Sequence, residues 1–287
     1  MHNYLAPELI QDFVKRALHE DIGDGDHSAL SAIPAQAVKK ARLLVKGEGI
    51  LAGVELAEHI FRIVNPELKV EVLIKDGSVV KFGDVGLLVE GSARSILMAE
   101  RLVLNCMQRM SGIATLTQEM VNLVKGTKAR LLDTRKTSPN SRLIEKWAVK
   151  IGGGQNHRFG LFDMIMLKDN HVDFAGSIEK AILAAQAYLK DQKLNLAIEI
   201  ETRNLDEVKQ AVQMAQKGAL QRIMFDNMPL DMLHEAVRLV NGICETEASG
   251  GITKASIAGI ARSGVDFISV GALTHSYQSM DISLKAY

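Results

Sequence analysis

Four cations and two acids in the second half of the chain are spaced so that a reaction site could be built from them: Arg135, Lys136, Arg158, Lys168, Glu201 and Asp226. All but Arg158 directly follow a short apolar run. Arg130 to Leu132 leads into Asp133-Thr134-Arg135-Lys136, and Met164 to Leu167 into Lys168-Asp169-Asn170-His171. Leu196 to Ile200 ends in Glu201, and Ile223 to Phe225 in Asp226-Asn227. After Ile243 to Thr246 comes Ser249-Gly250-Gly251, and after Phe267 to Val270 comes Gly271, with His275 close behind.

The residue types sort by chemistry. Arg135, Lys136, Arg158 and Lys168 in one mouth would repel one another strongly without an anionic ligand. Arginine offers a planar fork to carboxylate or phosphate, and lysine a compact charge to phosphate. Together they imply a small ligand carrying several negative charges. The Ser249-Gly250-Gly251 turn precedes Thr253 and a helical stretch, Ile257 to Ala261, an arrangement whose backbone N–H groups suit a phosphate. Glu201 and Asp226 supply hard oxygens for a magnesium ion or for sugar hydroxyls, or else pair with the nearby lysines. Glu199 shares a strand face with Glu201, which lies nearer the mouth. Solvation alone makes strand ends polar, but it does not sort them into cations, acids and glycine turns.

Other candidates carry less. Gly152-Gly153-Gly154 lacks the spacing of a dinucleotide fingerprint and reads as a bend that lets Asn156-His157-Arg158 reach the mouth. The Asp21, Asp24 and Asp26 loop lacks the spacing and closing glutamate of a calcium loop, and reads as a turn stabilised by Asp side chains. No histidine pair has zinc spacing, so His157, His171 and His275 read as hydrogen-bonding groups. The twelve methionines read as core filler.

The elements that must position these residues fall into two patterns. After Lys128, the six apolar runs alternate with amphipathic stretches such as Ile178 to Leu189, Leu205 to Ala215 and Leu230 to Leu239, which implies a parallel sheet. In such folds the C-terminal strand ends share one face, where ligands bind. Six strands are fewer than the eight of a standard barrel, so periodicity leaves barrel and open sheet equally open. The first hundred residues show no such alternation. A helix opens at Pro7 and gives way to a polar loop, Glu20 to His27. A strand covers Ala41 to Lys46, and a helix Val54 to Val64. Further strands cover Val70 to Ile74 and Val85 to Val89. Ser92 caps a long helix expected to break near Ser111-Gly112. This is a mixed α+β domain. The expected limits are 1–112 for that domain, 113–275 for the domain with the site, and 276–287 for a tail whose Ile282 to Tyr287 reads as a strand returning to the first domain.

Composition narrows the partners. Of 287 residues, 47% are hydrophobic and 24% charged, ordinary for a soluble globular chain. Lysine plus arginine equals aspartate plus glutamate at 34 each, so there is no long-range attraction for nucleic acid or an acidic membrane. Charges interrupt every apolar run before it could span a bilayer, and no signal peptide is visible. Cys106 and Cys244 do not make a disulfide framework and read as reduced thiols, which makes the cytoplasm the expected compartment.

The motifs in order resemble the quinolinate phosphoribosyltransferase family. They are Asp133-Thr-Arg-Lys-Thr-Ser-Pro139, Gly152-Gly-Gly-Gln-Asn-His-Arg158, Lys168-Asp-Asn-His171, Glu199-Ile-Glu201, Asp226-Asn-Met228, Glu247-Ala-Ser-Gly-Gly-Ile252 and Ile268-Ser-Val-Gly-Ala-Leu-Thr-His-Ser276. Glu20 to Asp26, Glu100-Arg101 and Gln108 to Ala114 extend the likeness into the first half. The resemblance implies transfer of phosphoribose from phosphoribosyl pyrophosphate to quinolinate, with decarboxylation, in NAD biosynthesis. The products would be nicotinate mononucleotide, pyrophosphate and carbon dioxide, and magnesium would be the cofactor. It implies an α/β fold, an incomplete parallel β/α barrel preceded by a mixed α+β sandwich-like domain, in a homodimer or higher homo-oligomer. It also implies roles. Arg135, His157, Arg158 and Lys168 would hold the quinolinate carboxylates, with Arg101 crossing from the partner subunit. Lys136 and Lys168 would meet pyrophosphate, beside Thr134. Glu201 and Asp226 would face the ribose and its magnesium. Ser249, Gly250, Gly251, Gly271 and Ala272 would hold phosphate, with His275 close to them. The chain departs from the family at Ser138-Pro139-Asn140-Ser141-Arg142, where Thr-Pro-Gly-Leu-Arg is common.

Two rivals use the same residues. One is a Schiff-base lyase built on Lys168 or Lys136. The other is a non-catalytic ligand-binding relative that keeps the pocket.

Overall fold

The structure, a computed structural model, describes residues 4–287. The described residues form two compact units, one made of 4–118, 137–153 and 273–287, the other of 119–136 and 154–272. The domain limit we propose after residue 112 falls inside a helix, and the compact units interleave along the chain.

The first unit opens with α1 (Pro7–Ile22), which has Pro at its first turn and buries Ile10, Val14 and Leu18 along one face. It ends at Ile22, inside the expected polar loop Glu20 to His27. The next helix, α2 (His27–Ala32), is capped by Asp26, whose side chain accepts from the Ala29 N–H at 3.0 Å. The loop aspartate is thus a helix cap. Then follow β1 (Val38–Val45), β2 (Gly49–Ile50), α3 (Val54–Val64), β3 (Lys69–Val72), β4 (Val79–Val80) and β5 (Val85–Ser92). The long α4 (Ala93–Leu123) follows directly.

α4 corrects the expected break at Ser111-Gly112, because it is continuous there. Ser111 is fully buried and its hydroxyl accepts from the Ala52 N–H at 2.9 Å. A Cβ on Gly112 would stand 2.2 Å from the Gln278 carbonyl oxygen, so this glycine serves close packing rather than helix termination. The antiparallel sheet of this unit has the order β12-β1-β5-β3. Its outer strand β12 (Ile282–Ala286) pairs Leu284 with Leu43 and Ile282 with Val45.

The second unit carries the alternation. β6 (Arg130–Leu132) is followed, after α5 (Arg142–Ile151) of the first unit, by β7 (Ile165–Leu167), α6 (Asp169–Ala175) and α7 (Ile178–Asp191). β8 (Ile198–Thr202), α8 (Leu205–Gln216), β9 (Arg222–Asp226), α9 (Leu230–Val240), β10 (Glu245–Ser249), α10 (Ile257–Arg262) and β11 (Phe267–Ser269) complete the unit, and α11 (Ala272–His275) starts at its last residue and continues in the first unit. Side-chain caps start α7 and α8: Ser177 accepts from the Lys180 N–H, and Asn204 from those of Asp206 and Glu207.

All six strands are parallel, in the order β6-β11-β10-β9-β8-β7. The first strand pairs with the last, as a barrel requires. No ladder joins β6 to β7 among the described residues, so the barrel is incomplete. Part of that gap is filled by the segment after Gly154: Gln155 forms a bridge with Leu132, donating to the Leu131 carbonyl at 2.8 Å and accepting from the Asp133 N–H at 3.1 Å. Among the described residues no helix is long and apolar enough to cross a membrane.

Candidate active site

The strand ends converge as parallel pairing dictates. One cavity of about 550 Å³ is bordered by Thr134, Arg135 and Lys136 after β6, by His157 and Arg158, and by Lys168 after β7. Glu201 of β8, Asp226 of β9, and Ser249, Gly250 and Gly251 at the end of β10 complete the ring of expected residues. Gly271 and Ala272 belong to the same unit without bordering this cavity, and Arg101 and His275 belong to the other unit. Arg101 is exposed on α4.

The cations influence one another and their surroundings. Burial, and then the charge of Arg135, lower the pKa of Arg158. Arg158 also donates to the Met164 carbonyl at 3.2 Å, which steadies the guanidinium. Lys168 lies 3.4 Å from Glu201 and has half its side chain exposed. The Lys168 N–H donates to His171 Nδ1 at 2.9 Å, which makes His171 a capping residue of α6.

On the acid side, burial pushes the Glu201 carboxyl above the ordinary carboxylate range; Lys168 works against that and Asp226 adds to it. Asp226 accepts from Asn227 Nδ2 at 2.8 Å, and the Asn227 N–H donates to the Ser249 carbonyl at 2.8 Å. This ties the acid to the glycine turn. Gly250 (φ 94°) and Gly251 (φ 59°) both adopt positive φ. α10 starts only at Ile257, so the turn lies outside that helix.

Beneath the mouth, His157 and Glu199 belong to a buried cluster with Asp133, Glu247 and Arg222, the last of which no motif marks. Asp133, fully buried, accepts from the His157 N–H at 2.9 Å and from Asn156 Nδ2 at 2.6 Å. The Arg158 N–H donates to His157 Nδ1 at 2.7 Å. His157 Nε2 stands 3.0 Å from Glu199 and 3.4 Å from Glu247, both acids with no side-chain exposure. Arg222 reaches Glu247 at 2.9 Å, Glu199 at 4.0 Å and Glu245 at 2.8 Å, with its guanidinium 4.2 Å above the Phe267 ring.

Burial favours the neutral His157 ring, and Glu199 and Glu247 pull its pKa upward. Since Nδ1 accepts from the Arg158 N–H, the shared proton lies on the Nε2 side, toward the acids. Burial and the Glu247 charge raise Glu199. Glu247 is lowered: burial opposes ionisation, and His157 and Arg222 overcome it. The three side chains place ligand-type atoms within 4.8 Å of one another, but Arg222 already supplies the positive charge a metal would bring. A signal existed in the sequence: Glu199 and Glu247 each sit two residues before a residue of the mouth, on the same strand face.

Neither thiol is a nucleophile in waiting. Burial, eased only slightly by Arg109, pushes Cys106 up to about 12, and burial with nearby acids pushes Cys244 up to about 11.

An incomplete parallel β/α barrel with cations, acids and a glycine turn gathered around one cavity at its strand ends defines the class of this protein. Residues 26–111 match the N-terminal domain of quinolinate phosphoribosyl transferase, and residues 113–285 match its C-terminal domain. The chain belongs to the quinolinate phosphoribosyl transferase family. Among its relatives is quinolinate phosphoribosyltransferase (decarboxylating) 2b, mitochondrial, of Nicotiana tabacum, 49% identical over 292 residues, covering 96% of this chain and 82% of that one. Another is nicotinate-nucleotide pyrophosphorylase (carboxylating), chloroplastic, of Arabidopsis thaliana, 50% identical over 288 residues, covering 95% and 81%. The crystal structure of NadC from Streptococcus pyogenes superposes with a TM-score of 0.90 at 38% identity, over 98% of this chain and 96% of that one.

Proposed function

We propose that this enzyme transfers phosphoribose from phosphoribosyl pyrophosphate to quinolinate and decarboxylates the product. Nicotinate mononucleotide, pyrophosphate and carbon dioxide result, in NAD biosynthesis. The observation that carries the reading is the single cavity in which Arg135, Arg158, Lys136 and Lys168 face Glu201, Asp226 and the Gly250-Gly251 turn.

The pyridine nitrogen is the nucleophile, so the chain needs none of its own. It attacks the anomeric carbon as the bond to pyrophosphate breaks, leaving positive charge on the ribose and negative charge on the leaving group. Glu201 and Asp226 favour the first, and Lys136, Lys168 and the turn N–H groups the second, by position and fixed charge. Arg135 and Arg158 hold the carboxylates. Once alkylated, the ring nitrogen draws electrons from the adjacent carbon. The bond to the 2-carboxylate then breaks, its electron pair stays on that carbon, and a proton replaces carbon dioxide.

Glu201 and Asp226 fit magnesium, being hard oxygen donors whose mutual repulsion a cation would relieve. Bound there with the substrate, magnesium would neutralise leaving-group charge. The exposed Arg101 fits a role in a partner subunit's site, which makes a homodimer the proposed minimal unit. His275, Gly271 and Ala272 are proposed to approach the phosphates in the assembled complex. The proposed compartment is the cytoplasm, consistent with two free thiols, although the plant relatives carry organelle names. A Schiff-base lysine needs a desolvated amine, whereas Lys168 is half exposed and paired with Glu201.

The test is pyrophosphate release with quinolinate, using nicotinate as control. Release that depends on quinolinate is expected. Equal release with nicotinate, or none with quinolinate, would overturn the reading.

A further inference from the structure

We infer that Glu199 and Glu247, linked by Arg222, are positioning residues: they clamp the His157 ring, and the clamped ring sets the direction from which Arg158 enters the cavity. This rests on the phosphoribosyl-transfer reading, and it adds residues to the dicarboxylate side of that site.

Geometry carries the argument. The segment bearing Arg158 is held at three points. Asp133 accepts the His157 N–H and the Asn156 amide, at 2.9 and 2.6 Å. The His157 ring accepts the Arg158 N–H at 2.7 Å, so the ring plane and the Arg158 backbone are set together. The far side of the ring meets Glu199 of β8 and Glu247 of β10. Arg222, on the strand between them, spans both acids. Remove the acids and the ring turns freely, and the Arg158 N–H loses a fixed acceptor.

Stability does not account for the cluster. Two fully buried carboxylates, an arginine and a histidine are costly to desolvate, and well-packed apolar side chains of similar volume would hold the barrel as well or better. What the ionic version adds is direction. Glu199 does not border the cavity, so any effect of it on a ligand passes through His157.

The experiment measures the dissociation constants of pyridine-2,3-dicarboxylate and of phosphoribosyl pyrophosphate by calorimetry, on the whole protein. Glu199→Leu, close in volume and without an acceptor, is expected to weaken the dicarboxylate about tenfold, with phosphoribosyl pyrophosphate within about twofold of wild type. Glu199→Gln, which restores an acceptor, recovers most of the loss. In an Arg158→Ala background the leucine substitution costs less than in the wild-type protein, because the route through Arg158 is gone. Wild-type binding in Glu199→Leu, equal loss for both ligands, or an undiminished loss in the Arg158→Ala background would each overturn the inference. Should Glu199→Leu not fold, the volume-preserving Glu247→Gln carries the same two-ligand comparison. Absence of dicarboxylate binding in the wild-type protein marks failure of the functional reading itself, and the inference falls with it.

Discussion

A single methyl group added at Gly250 probes the phosphate side of the site. Gly250 has φ 94°, and a Cβ there would stand 2.2 Å from Asn227 Oδ1 and 2.4 Å from its Cγ. Backbone strain at such a φ costs a non-glycine residue about 1–3 kcal/mol. Relief of the clash requires the Asn227 side chain to swing away, which breaks its 2.8 Å bond to Asp226. At this exposed position that bond contributes about 1 kcal/mol. The sum for Gly250→Ala is about 2–4 kcal/mol, and about 2 kcal/mol of it expressed in binding would weaken phosphoribosyl pyrophosphate roughly thirtyfold. Gly251 is the internal control. Its φ of 59° lies in the left-handed region, and its Cβ would meet only Asn227 Oδ1, at 3.9 Å. Gly251→Ala should cost about 1 kcal/mol, or roughly fivefold. The assay is the KM for phosphoribosyl pyrophosphate at saturating quinolinate, with thermal midpoints of both variants alongside. A Gly250→Ala variant no worse than Gly251→Ala in both measurements would refute the reasoning.

Further expectations follow from other contacts. Arg135→Ala should weaken quinolinate by about 2–3 kcal/mol, the loss of a charge-assisted pair, and calorimetry showing wild-type affinity would remove Arg135 from the site. Asp266 gives a pH signature. Burial opposes its ionisation, but Lys128 at 2.8 Å and the Thr246 N–H and hydroxyl at 2.9 and 2.7 Å outweigh that and hold it below its ordinary value. A depressed folded-state pKa contributes stability above the unfolded value of about 3.9, and the contribution is lost as pH falls through the folded value. Asp266→Asn should therefore flatten the loss of stability on acidification below about pH 4, read from urea midpoints. Replacing both cysteines by alanine should leave kcat within about twofold, since thiols this far raised are not thiolates at neutral pH.

The alternation after Lys128 was readable because parallel strands buried on both faces leave continuous apolar runs. β6, β7 and β9 lie within a residue or so of those runs. β10 does not: the run Ile243 to Thr246 points to a strand ending early, whereas the strand is Glu245–Ser249. The reason is Glu247, a charged residue inside a strand, which breaks the apolar pattern because it is buried against His157 and Arg222. The same polarity that hid the strand marks the cluster beneath the site. The pairing of the first strand with the last was not readable, since β6 and β11 lie far apart in sequence. Gly112 misled for a related reason, because what fixes it is the approach of Gln278 and not its local conformation.

Both chemical steps are proposed to occur in this one cavity, and the fate of isotope in the two carboxylates decides it. Quinolinate labelled in its 2-carboxylate should yield labelled carbon dioxide only when phosphoribosyl pyrophosphate and magnesium are present, mole for mole with pyrophosphate. Label in the 3-carboxylate should stay in the nucleotide. Carbon dioxide released without phosphoribosyl pyrophosphate, or pyrophosphate released with the 2-carboxylate retained, would rule this out.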